Sequence, residues 1–196
     1  MTSPAVYLDR DGVLTVLVPD ESTGTLESPL RPEDVELLPG VAKAVRALAR
    51  AGFVLVGVTN QPAAAKRAVT VDVLEAVQTR VVELLAAQGV EFDAWRICLH
   101  HPRGTDPVLG RACECRKPAP GMLLSAAEEL DIDLAGSWMI GDTDADVLAG
   151  RAAGCKTLLI ENAQSAHKRS GFVAPDRRAR DLVHAVSVLL NGAGDC

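Results

Sequence analysis

The 196-residue chain is 48% hydrophobic and 23% charged, a balance that fits one well-packed domain over residues 1–196. A net charge of −6 and only 3% aromatic residues exclude a basic groove on which nucleic-acid bases would stack. No apolar run approaches the ~18 residues of a membrane span, and an acidic motif at residue 9 leaves no room for a signal peptide, so a cytoplasmic protein is expected.

A first strand is predicted over residues 5 to 9 and runs directly into Asp9-Arg10-Asp11-Gly12. A buried strand that ends in two carboxylates one residue apart puts both at the open C-terminal edge of a sheet, where α/β proteins bind ligands. Two acids this close repel each other unless a cation sits between them, and Mg²⁺, which takes hard oxygen ligands and substrate phosphates, meets that need. Leu17 to Glu33, rich in Pro, Ser, Thr and acids, reads as a loop or small hairpin. Val41, Val45 and Leu48 mark a helix between Gly40 and Gly52, and a second strand over 53 to 59 ends in Thr59-Asn60-Gln61. Leu74, Val77, Val81, Leu84 and Leu85 mark a second helix between Thr70 and Gly89.

A third strand over 93 to 98 leads into a long loop that carries Arg116-Lys117-Pro118. Pro120 and Gly121 open a third helix that runs to about Leu130. A fourth strand over 137 to 141 ends in Gly141-Asp142, and a helix from Asp144 to Ala153 follows, with Asp144 as its expected cap and Asp146 in its first turn. A fifth strand spans 156 to 160, residues 162 to 175 read as a poorly ordered surface connection, and Asp176 to Leu190 as a terminal helix. Strands alternating with helices imply an α/β fold: a doubly wound, mostly parallel sheet with helices on both faces.

The loop after the third strand holds a second signal. Cys98-x-His100 and Cys113-x-Cys115 supply three sulfurs and an imidazole, the set that Zn²⁺ accepts in closed tetrahedral sites. Disulfides are the alternative, but an intracellular chain keeps its thiols reduced. His101 rivals His100 as the ligand; the C-x-H spacing that mirrors C-x-C favours His100. Four protein ligands make the site structural, pinning the excursion from Leu99 to Glu114 and with it the position of Arg116 and Lys117. Cys155 begins an apolar strand and reads as buried, and Cys196 as a terminal thiol.

The ordered series of Asp9-x-Asp11, Thr59-Asn60, Lys117 and Gly141-Asp142 with Asp146 resembles the haloacid dehalogenase superfamily of phosphotransferases, from Ala5 to about Ile160. The intervals between these motifs leave no room for the separate cap domain that many members carry. Within the superfamily, C-x-H-H-P followed by C-x-C-R-K-P and P-G-M is similar to the heptose 1,7-bisphosphate 7-phosphatases, and less so to histidinol-phosphate phosphatases. The resemblance implies Asp9 as nucleophile, Asp11 as acid and base, and Thr59 and Lys117 at the phosphoryl oxygens. It implies Asp9, the Asp11 carbonyl and Asp142 as Mg²⁺ ligands, with Asp146 orienting Lys117. Asn60 and Gln61 would meet the substrate, a small phosphorylated sugar or metabolite, and Arg116 would bind a second phosphate bidentately. No nucleic-acid or membrane partner is implied, and a monomer is expected. The segment Val13 to Asp20 departs from the heptose pattern in being longer, and Pro62-Ala63 replaces its Ser-Gly. Intact Asp9, Asp11, Lys117 and Asp142 answer demands of catalysis rather than folding, which argues against a binding protein with a decayed site.

Overall fold

A computed structural model describes residues 2–21 and 23–192; Cys196 lies outside them. In chain order, β1 (Ser3–Leu8) is followed by a hairpin of β2 (Val18–Asp20) and β3 (Thr25–Glu27), then α1 (Val41–Arg50), β4 (Val54–Asn60), α2 (Val71–Ala86) and β5 (Ala94–Cys98). After the Cys-rich loop come α3 (Gly121–Leu130), β6 (Ile132–Gly141), α4 (Asp144–Ala153), β7 (Lys156–Ile160), β8 (Arg177–Ala179) and α5 (Leu182–Asn191).

All strands but the hairpin pair join one sheet, ordered β5-β4-β1-β6-β7-β8, in which every neighbouring pair is parallel. The expected doubly wound fold is therefore present. Strand side chains alternate between faces. Val6 and Leu8 of β1 accordingly pack with α1, α2 and α5, while Ala5 and Tyr7 pack with α3 and α4. That is why β1 reads as an unbroken apolar run: it is covered on both sides. Among the described residues, the excursion between β1 and α1 holds only the hairpin, a short 3₁₀ turn at Pro32–Asp34 and their connections.

Two elements differ from expectation. β6 begins at Ile132, and its first half pairs with Ser3 and Pro4 before the register shifts towards Val6. Asp133 and Gly136 interrupt the apolar pattern that would announce this half. The terminal helix starts late, because Arg177–Ala179 adds an edge strand beside β7 and Asp181 caps α5 by accepting the His184 amide at 2.7 Å. Only Ala179 of that strand is buried, so it carries no alternation to read. No helix among the described residues is long and apolar enough to cross a membrane.

Candidate active site

The strand order reverses around β1 and β6, and the crevice beyond their C-terminal ends is where open α/β sheets bind ligands. Asp9 follows β1 and Asp142 follows β6, so both carboxylates enter that crevice. Gly12 allows the close approach: its φ is 85°, and a Cβ there would lie 2.1 Å from Asp142 Oδ2. Oxygens of Asp9, Asp142 and Asp146 all fall within 4.8 Å of one another. Both Asp142 carboxylate oxygens are buried with no hydrogen-bond partner among the described residues. Burial, reinforced by the other carboxylates, pushes Asp9 up to about 8 against the pull of Lys117, and Asp142 up to about 7. A cluster of hard oxygen donors, two of them pushed toward their neutral forms by burial, fits Mg²⁺.

Asp146 is engaged on both oxygens. Oδ1 pairs with Lys117 Nζ at 2.6 Å, and Oδ2 accepts the Thr143 amide and hydroxyl at 3.0 and 2.6 Å. Thr143 rather than Asp144 thus caps α4, through a capping box with Asp146. Asp144 instead accepts the Ser170 amide and hydroxyl, each at 2.6 Å.

Lys117 is 3% exposed, and its ammonium donates to the Val58 carbonyl at 2.8 Å as well as pairing with Asp9 Oδ1 at 2.9 Å and with Asp146. Burial alone would lower its pKa, but Asp146 and Asp9 outweigh it and hold the amine charged. The Asn60 side chain accepts the Lys117 amide at 3.1 Å and donates to the Lys117 carbonyl at 3.0 Å, clamping that loop to the end of β4. Gln61, expected at the substrate, is buried behind the site, where Nε2 donates to Asp11 Oδ2 at 2.6 Å and to Thr59 Oγ1 at 2.8 Å. Asp11 Oδ1 meets Arg10 Nε and the Thr15 hydroxyl, each at 3.0 Å. Burial raises the Asp11 pKa, yet the Arg10 charge and hydrogen bonds from Arg10, Gln61 and Ser28 hold it below the usual carboxylate range.

In the Cys-rich loop, Cys98 Sγ lies 3.6 Å from Cys113 Sγ and 3.1 Å from Cys115 Sγ, and the latter two are 3.2 Å apart. His100 Nδ1 is 3.5 Å from Cys115 Sγ and 3.9 Å from Cys98 Sγ. No disulfide links them: such a bond is ~2.05 Å long, and these cysteines are free. Burial, then contact with the Cys98 and Cys113 sulfurs, pushes the Cys115 thiol well above its usual range. Three thiols sharing one pocket ionise together only around a cation, and the donor set fits structural Zn²⁺. His101 turns away, its Nδ1 accepting the Arg103 amide at 3.1 Å. Arg116 Nη1 donates to the His100 carbonyl at 3.2 Å, tying the guanidinium to this cluster.

Asp9, Asp11, Thr59 and Lys117 line a cavity of about 280 Å³, whose wall also carries the cations Lys66, Arg116 and Lys168. The sequence reading missed Lys66 and Lys168, along with Glu27 and Ser28 on the same wall. It also missed what residues 162–169 do: a 3₁₀ helix, Ala163–Lys168, forms there, and the segment braces the site. Asn162 Nδ2 donates to the Gly12 carbonyl at 3.1 Å and Arg169 Nη1 to the Asp142 carbonyl at 2.9 Å. Glu27, at the end of β3, pairs with Lys168 at 2.6 Å and His167 at 3.2 Å, joining the hairpin to that segment. Contacts between residues so distant in sequence leave no local pattern.

Residues 114–185 match the HAD-hydrolase-like family. Over 173 residues the chain is 36% identical to the D-glycero-β-D-manno-heptose-1,7-bisphosphate 7-phosphatase of Yersinia pestis, covering 88% of each chain. It is 38% identical over 157 residues to the protein of that name from Escherichia coli K12, covering 80% of this chain and 78% of that one. Among solved structures, the D,D-heptose 1,7-bisphosphate phosphatase from B. bronchiseptica, complexed with magnesium and phosphate, aligns with a TM-score of 0.78 at 30% identity, over 97% of this chain and 99% of that one. Agreement at this level along almost the whole chain, with the crevice and cavity as described, makes the protein a phosphoric monoester hydrolase: it belongs to the haloacid dehalogenase superfamily and, within it, to the family of the heptose-1,7-bisphosphate 7-phosphatases.

Proposed function

We propose that this chain removes the 7-phosphate of D-glycero-β-D-manno-heptose 1,7-bisphosphate in the cytoplasm, acting as a monomer through an aspartyl phosphate on Asp9. The observation that carries the reading is how Asp9 is held. Its Oδ1 receives both the Arg10 amide at 2.7 Å and Lys117 Nζ at 2.9 Å, which leaves Oδ2 for attack on phosphorus. As the Asp9–phosphorus bond forms, the bond from phosphorus to the sugar oxygen breaks, and Asp11, having first taken up a proton from solvent against the pull of Arg10, delivers it to that oxygen. Asp11 then takes a proton from the water that attacks phosphorus, releasing inorganic phosphate and free Asp9. Thr59 and Lys117 neutralise and orient the phosphoryl oxygens, with Asp146 fixing Lys117. Held by Asp9, Asp142 and the Asp11 carbonyl, Mg²⁺ would supply neutralisation of phosphoryl charge.

Arg116 supports a bisphosphate substrate. It stands on the cavity wall, no carboxylate pairs with it among the described residues, and a guanidinium binds phosphate bidentately. The test compares kcat/KM for the β-anomer of the bisphosphate, the α-anomer, the 7-monophosphate and histidinol phosphate. The β-bisphosphate should be turned over best, and Arg116→Ala should lose about 1.5 to 3 kcal/mol of its preference over the monophosphate, the worth of a charged hydrogen bond. Preference for histidinol phosphate would overturn the substrate and leave the aspartyl-phosphate route standing.

A further inference from the structure

We propose that Arg10, anchored by Gln78 of α2, is a positioning residue that fixes Asp11 Oδ1 and so leaves Oδ2 as the oxygen that serves the leaving group. The inference rests on the reading of Asp11 as acid and base. Arg10 is fully buried, and neither it nor Gln78 lines the active-site cavity. Its guanidinium reaches in two directions at once: Nε donates to Asp11 Oδ1 at 3.0 Å, and Nη1 donates to Gln78 Oε1 at 3.2 Å. Nη2 has no partner among the described residues. A buried cation is a poor device for stability alone, because an apolar side chain of similar volume often does as well or better. A fork held at both ends is a good device for orientation.

The two Asp11 oxygens are held unequally. Oδ1 takes the charged Arg10 donor and the Thr15 hydroxyl, and Thr15 is itself fixed by its amide, which donates to the Arg10 carbonyl at 2.9 Å. Oδ2 meets the neutral Gln61 amide, and the carboxyl's remaining donor, the Ser28 hydroxyl, is neutral too. Both bonds end on a carboxylate, but at Oδ1 the donor is itself a full charge held from two sides, an attraction that the neutral amide at Oδ2, 2.6 Å away, does not add, so Oδ2 is the oxygen that can exchange its donor for the leaving group. Through Gln78, the register of α2 sets the direction in which that oxygen is presented.

The experiment reads leaving-group dependence. kcat/KM covers the steps up to leaving-group departure, and a nitrophenolate departs without a proton whereas a sugar alkoxide needs one. Gln78→Leu, Thr15→Val and Arg10→Lys are each assayed with the heptose bisphosphate and with p-nitrophenyl phosphate, alongside Asp11→Asn. The ratio of the two kcat/KM values, sugar ester over nitrophenyl ester, should fall about tenfold or more in Gln78→Leu and Arg10→Lys, within the 10²- to 10⁴-fold that acid–base catalysis supplies. Arg10→Lys retains the charge but cannot bond in both directions. Parallel losses on both esters, or no loss on either, would overturn the proposal. Should Arg10→Lys not fold, Gln78→Leu, which swaps a buried neutral amide for an apolar side chain of similar size, decides alone. An Asp11→Asn enzyme with an unchanged ratio would remove the acid role and the positioning role with it. A shifted ratio in Asp11→Asn and an unchanged one in Gln78→Leu would remove the positioning role only.

Discussion

An ammonium taken out of water costs several kcal/mol unless oxygen acceptors surround it. Lys117 finds them in the Val58 carbonyl, Asp9 and Asp146. The same arrangement leaves Asp9 largely buried beside three other carboxyl groups, and burial outweighs the pull of Lys117 and favours its neutral form until a further cation arrives. Asp9→Asn should therefore abolish turnover while the melting temperature in Mg²⁺-free buffer holds or rises, because the amide keeps the shape and removes a desolvated charge. Phosphate release and a thermal melt on the same sample check this, and retention of more than trace hydrolysis would exclude the covalent route. Asp9 and Asp11 were legible because a strand's end is a local feature of the sequence. Asn60 stands on the cavity wall while its amide also clamps Lys117, 57 residues away; the place of Gln61 was not legible, since the group its amide meets on Asp11 is 50 residues away and nothing near it says whether it faces substrate or braces the site.

At the scale of elements, the Cys-rich loop runs between the end of β5 and α3 with no strand or helix of its own, and it is ordered by turn hydrogen bonds such as that of the His101 amide to the Leu109 carbonyl together with the Cys and His side chains. Arg116 and Lys117 follow Cys115 directly, which makes loss of the zinc cluster a loss of catalytic geometry as well. Cys113→Ser should lower melting temperature and kcat together and reduce zinc from about one ion per chain, because binding energy at a structural site is folding energy. Metal analysis by mass spectrometry on protein never exposed to chelator checks the content; a full zinc complement in Cys113→Ser would sink the assignment of that ligand. Apart from the start of α5, the helices were legible almost to their ends because each buries one periodic apolar face and most carry ordinary start or stop signals, such as Thr70 at the start of α2 and Gly154 at the end of α4. β8 and the first half of β6 were hidden because they join the sheet with few buried side chains. The 3₁₀ segment was hidden because it is tied down by side chains that meet the carbonyls of Gly12 and Asp142, which any sequence would offer.

Across the whole molecule, the sheet order brings together at one crevice groups that enter from residues 9, 59, 117 and 142. Such a site exists only in the folded chain, so an ion that bridges the ends of β1 and β6 binds the native state and stabilises it by mass action, by about 2.7 kcal/mol at a hundredfold excess over Kd. The buried Asp142 carboxylate has no hydrogen-bond partner among the described residues, which is a cost to the fold that a bound ion would offset. Two outcomes should follow in zinc-loaded protein. The melting temperature of the native chain should rise with added Mg²⁺, and Asp142→Asn should begin at an equal or higher melting temperature without Mg²⁺ yet gain nothing when it is added. Differential scanning calorimetry across a Mg²⁺ titration checks both. A Mg²⁺-dependent rise that survives in Asp142→Asn would place the ion elsewhere and detach the metal from the crevice between β1 and β6.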